Sequence, residues 1–176
     1  MKTSVMLGPA ALLALLVGAF ATTPVMPPQG GVPSARPLQT SVEAALERGD
    51  LSTAVRMTDA AYRRAISDRR WESLIEVGDL YYRIVNRTGA ERASQRARDA
   101  YQAALRSARH AGSLEGVLRA AEAFAQLGDV DETQLSLYVA RDLAGYDAEA
   151  IGDVRAAAER LSDLLGAASA EDRGEE

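Results

Sequence analysis

From Leu51 onward the apolar positions repeat at steps of three and four. Leu51, Val55, Thr58, Ala61, Tyr62, Ala65 and Ile66 form one stripe, and Leu74, Val77, Gly78, Tyr81 and Ile84 form the next. With 3.6 residues per helical turn, such positions share one face, so each stripe predicts an amphipathic helix whose other faces carry charge. No proline occurs between Leu38 and Ala168, so nothing there removes a backbone donor that a helix needs. Seven helices are predicted, over about 39–48, 51–68, 70–86, 90–111, 114–127, 130–144 and 148–166.

The breaks between them have their own chemistry. Gly49-Asp50, Gly112-Ser113 and Gly128-Asp129 each pair a glycine with a capping residue. Glycine takes the left-handed conformation that ends one helix. The Asp or Ser oxygen then accepts from the free N–H groups that begin the next. Thr40 and Glu43 have the spacing of a capping box, which predicts the start of the first helix.

Gly49, Gly89 and Gly128 recur at about 39 or 40 residues, within the range of helical-hairpin repeats. Each hairpin leaves an apolar face that only a neighbouring hairpin can cover, so such units stack. The middle unit carries Leu74, Gly78 and Tyr81, then Ala97, Tyr101 and Ala104. The third carries Ala121 and Phe124, then Gly128, Thr133, Leu137 and Ala140. The first carries Ala45, Gly49, Ala54, Thr58 and Ala61. This alternation of small residues and aromatics resembles the tetratricopeptide repeat, in a degenerate array over about 38–167. Two features depart from that family: the middle unit is longer between its half-motifs, and no unit ends in proline. The resemblance implies an all-α fold of antiparallel helical hairpins stacked as a short right-handed solenoid, whose first helices line a groove that grips peptides. Carried over, the groove positions are Glu72, Ile75, Asp79 and Tyr82 in the middle unit and Glu115, Leu118 and Glu122 in the third. Such a surface is acidic with apolar spots and suits a basic or amphipathic segment of a protein partner.

The N-terminus follows another pattern. Lys2 precedes an apolar run from Val5 to Ala21 that ends in Ala19-Phe20-Ala21. A basic start, an apolar run and a small-x-small exit are the parts of a secretory signal, which places cleavage after Ala21. If the signal is retained, residues 5–26 become a membrane tether, although Gly8, Pro9 and Gly18 interrupt the run. Residues 22–37 hold five of the six prolines and read as a linker. The acidic residues 168–176 read as a disordered tail.

Composition narrows the chemistry. The formal charge is −5, which argues against nucleic acid as a partner. With no cysteine, thiolate metal sites, disulfides and a lipid-anchored N-terminus are excluded. With His110 as the one histidine, a multi-histidine metal site is excluded, and no Gly-rich phosphate loop with lysine is present. His110 sits where a cation favours a helix C-terminus. No catalytic residues, metal ligands or cofactor are assigned, and an enzyme is not expected. The reading is an exported bacterial protein of the cell envelope or periplasm, acting as a protein-interaction or scaffold module. The alternatives are a small periplasmic ligand- or chain-binding protein and a membrane-anchored accessory subunit.

Overall fold

A computed structural model of the chain describes residues 35–172, with side chains described over 37–166. The expected signal and nearly all of the linker lie outside the described residues. The order is α1 (Ala35–Glu47), α2 (Leu51–Asp68), α3 (Trp71–Thr88), α4 (Glu91–His110), α5 (Leu114–Gln126), α6 (Val130–Ala144) and α7 (Ala148–Asp172), with no strand among the described residues. The three-four stripes therefore became helices within a residue or two of expectation everywhere except at the two ends.

Both end differences have a local cause. The first helix begins at Ala35, inside the expected linker. Pro37 sits in its first turn, where the backbone N–H has no intrahelical acceptor and its loss is harmless. Thr40 consequently lies inside α1 and not at its cap. Glu43 instead accepts from the Gln39 side chain at 3.3 Å and pairs with Arg83 of α3. At the other end α7 runs to Asp172, through much of the expected tail. The stretch Leu164–Ala170 is rich in leucine and alanine, and these residues favour helix.

The three glycine junctions form as expected. Gly49, Gly112 and Gly128 have φ of 73°, 67° and 73°. Behind each, two N–H groups turn back onto the closing helix, as in Asp129 N to Phe124 O at 2.9 Å and Gly128 N to Ala125 O at 3.0 Å. The following side chain caps the next helix: Asp50 accepts from Thr53 N at 3.0 Å, Ser113 from Gly116 N at 3.0 Å, and Asp129 from Glu132 N at 3.4 Å.

Successive helices pack against each other, and contacts also run α1 to α3, α3 to α5 and α5 to α7, and α2 to α4 and α4 to α6. The result is two layers, the odd helices in one and the even helices in the other, built from stacked antiparallel hairpins. The core between them is mostly alanine. Its large members are Tyr81, Tyr101, Phe124, Ile84, Val42 and Val117, each fully buried. The small-residue motif works by receiving these rings. A Cβ on Gly78 would lie 2.2 Å from Cε1 of Tyr101, and one on Gly116 would lie 2.7 Å from the Trp71 ring. The aromatics meet edge to face, Tyr62 with Tyr81 at 6.4 Å and Tyr101 with Phe124 at 5.9 Å. Three hydroxyls are also buried, and each donates to the carbonyl four residues back: Thr58 to Ala54 at 2.9 Å, Thr133 to Asp129 at 2.7 Å and Ser136 to Glu132 at 2.8 Å. They enter the core without leaving an orphaned polar atom.

Candidate functional site

The exposed side of the odd layer holds two adjoining hollows lined only by odd helices. The first, about 280 Å³, lies between α3 and α5 and is bounded by Asp79, Tyr82, Arg83, Asn86, Arg119 and Gln126. The second, about 340 Å³, lies between α5 and α7 and is bounded by Leu114, Glu115, Leu118, Glu122, Asp153 and Arg160. Arg119 borders both. Regular packing produces this: with hairpins stacked in register, the grooves between consecutive first helices open on one face.

The seven expected groove residues distribute unevenly. Asp79 and Tyr82 come together in the first hollow, and Glu115, Leu118 and Glu122 in the second. Ile75 is 4% exposed and belongs to the core, so it offers no contact surface. Its position on α3 turns toward the neighbouring helices. Glu72 borders a different hollow near the start of α3.

The charge of this face is also less simple than expected. Arg119 pairs with Glu122 at 2.8 Å, and Arg160 approaches the same carboxylate at 3.5 Å. Arg83 binds Glu43. Arginines therefore offset carboxylates along α5 and α7, while the first half of α3 stays acidic. There Glu76, a residue not singled out from the sequence, sits near both Asp79 and Glu72. Partial burial, together with the Asp79 and Glu72 charges, raises its pKa against the pull of Arg70. The spacing of 72, 76 and 79 puts all three on one helical face, so this row could have been found from its period.

Asp79 is more than a groove wall. The buried Tyr101 of α4 donates to its carboxylate at 3.0 Å. Burial raises the Asp79 pKa, while that hydrogen bond and the charges of Arg119 and Arg83 oppose the rise. The same tie recurs one helix earlier, where Tyr81 donates to Asp59. Both tyrosines have pKa values pushed up, first by burial and then by the adjacent carboxylate. In each case the partners are 22 residues apart and join consecutive helices, a tie that the sequence alone does not reveal. Among the described residues no group of three His, Asp or Glu side chains gathers to hold a metal ion, and no helix is long and apolar enough to cross a membrane.

These layers define a helical-repeat protein. No protein-family model matches the chain, and no curated protein matches it. Among solved structures, it is similar to a de novo designed helical repeat protein, with 21% identity, 78% of this chain and 84% of that chain covered, and a TM-score of 0.48. It is also similar to a chain described as the DHF58 filament, with 20% identity, 80% and 86% covered, and a TM-score of 0.40.

Proposed function

We propose that the chain is an exported interaction module, a tetratricopeptide-like array that grips an extended segment of a partner protein along its odd-helix face. The reading rests on one observation above the others: the two hollows adjoin through Arg119 and gather five of the seven expected groove residues. The acidic pair Glu76 and Asp79 beside Tyr82 and Leu118 selects a segment with a basic side chain followed by apolar ones. Export is supported by the sequence alone, through Lys2 and the apolar run that closes at Ala21.

Two experiments test the two halves of this proposal. Peptide-display selection on the full chain should enrich sequences with Lys or Arg near apolar residues. Tyr82→Ala and Glu76→Gln should each weaken the selected peptide by about tenfold. Tyr138→Ala, on the even helix α6, should leave it unchanged. A peptide indifferent to the odd-face changes sinks the groove. Separately, the intact mass of the protein from its native cells should lack residues 1–21, and a full-length mass rules out cleavage.

A further inference from the structure

Trp71 and His110 lie away from the two odd-helix hollows and share a different cavity. At about 530 Å³, it falls in the range of small-molecule sites. It opens at the edge of the array where α2 and α4 end and α3 begins. Ile66, Leu74, Ala103 and the Trp71 ring make its apolar floor, and Arg69, Arg70, Arg106 and His110 ring its mouth, with Glu72 the one carboxylate among them.

Three observations point to a ligand. The first is an excess of cation. Arg69, Arg106 and His110 form no ion pair with any described residue, and Arg70 has only Glu72 at 3.6 Å, with both side chains well exposed. In a chain of formal charge −5, this is a local reversal of sign. The second is the backbone of Arg69, which has φ of 53° and is the one non-glycine residue with positive φ among those described. At the other five such positions the chain uses glycine. A side chain there is strained, yet an arginine stands where it overhangs the cavity, its carbonyl held by the Ser107 hydroxyl of α4 at 2.6 Å. The third is Trp71. Its ring is set against Gly116, where a Cβ would come within 2.7 Å, so the indole is fixed in place as part of the floor.

We propose that this cavity binds a single-chain anionic amphiphile, with a carboxylate or phosphate-monoester headgroup held by the guanidinium groups of Arg69 and Arg106 and an apolar tail laid over Trp71, Ile66 and Leu74. Guanidinium presents forked donors that match both headgroups. The tail covers the exposed Ile66 side chain and the open part of the Trp71 ring, above the buried Leu74. The site lies apart from the two odd-helix hollows, sharing only the expected groove residue Glu72, and stands whether or not that groove binds.

Trp71 is the only tryptophan in the chain, so its emission reports this cavity alone, including in the full chain with its apolar N-terminus. Titration of the full chain with decanoate or decyl phosphate below micelle-forming concentrations should shift that emission saturably. Decanol, decyltrimethylammonium and inorganic phosphate should not do so at the same concentrations. The double change R69Q/R106Q should weaken binding at least about tenfold, with helicity retained, while Arg92→Gln on the far half of α4 should leave it unaltered. The tighter of the two anions identifies the headgroup. An equal response to decanol or the cationic amphiphile would overturn the role of the arginines. An equal response to inorganic phosphate would overturn the role of the apolar floor. Full affinity in R69Q/R106Q would overturn the site.

Discussion

Gly78 and Gly152 are both glycines inside helices, and opposite outcomes are expected when each becomes alanine. Helix propensity alone favours alanine by about 1 kcal/mol. At Gly152 nothing lies within 4 Å of the added Cβ, so Gly152→Ala should stabilise by up to about that amount. At Gly78 the Cβ would meet the fully buried Tyr101 ring at 2.2 Å, and that ring is boxed in by Phe124. Overpacking of this kind costs about 1–3 kcal/mol, so Gly78→Ala should be a net loss on the order of 1 kcal/mol. Urea denaturation of the two variants checks both signs. Asp79 gives a pH-dependent test. Burial raises its folded pKa, so its contribution to stability is fully present below the unfolded carboxylate value and is lost as pH rises through the folded value. Asp79→Asn keeps an acceptor for Tyr101 and removes the charge. It should therefore be more stable than the parent near pH 7, with the gap closing below about pH 4. A gap that widens toward acid would contradict the stated sign.

Helices and their ends were the most legible feature at the scale of elements, because their rules are local. A Gly-Ser or Gly-Asp pair fixes the turn and the next cap within three residues, as at Gly112-Ser113. Replacing that cap, Ser113→Ala, should cost about 1 kcal/mol in thermal or urea unfolding, with no change in the position of α5. What escaped the sequence depends on distant partners. The turn between α2 and α3 has no glycine, and its left-handed Arg69 is held by Ser107, 38 residues later. Ile75 fits a groove position by spacing, but the helix packs it into the core. The Asp-Tyr ties had a regular spacing, yet an aspartate on a helix surface looks solvated until the tyrosine below it is placed. The groove was thus legible as a face and less so in its charge, since Arg119 and Arg160 of α5 and α7 join Arg83 of α3 in offsetting its carboxylates.

For the whole molecule, the question is whether the array unfolds as one body or from its ends. In stacked hairpins each unit touches mainly its neighbours, so stability is close to a sum of local and nearest-neighbour contributions. The terminal helix α7 is held by both α6 and α5: its first half buries Val154 and Ala157, and its second half buries Leu161, which is 5% exposed and packs with Ala121, Ala125, Leu137 and Leu165. Arg160 adds only a 3.5 Å approach to Glu122, with its own side chain 62% exposed, and such a pair contributes little. Leu161→Asp would force a carboxylate among Ala121, Ala125, Leu137 and Leu165, at a cost of several kcal/mol. That cost falls on the second half of α7, which should undock around Leu161 while its first half, held by Val154 and Ala157, and α1 to α6 keep their packing. Hydrogen exchange should then show protection lost along the second half of α7 and on the Ala121–Ala125 side of α5, and kept in α3 and α4 around Tyr81 and Tyr101. The hollow lined by Asp153 and Arg160 should lose its Arg160 wall and much of its share of peptide binding, while the hollow at Asp79 and Tyr82 keeps its own. Uniform loss of protection across all the helices would instead show that the hairpins are coupled too strongly for end-wise behaviour, and that the two hollows open and close together.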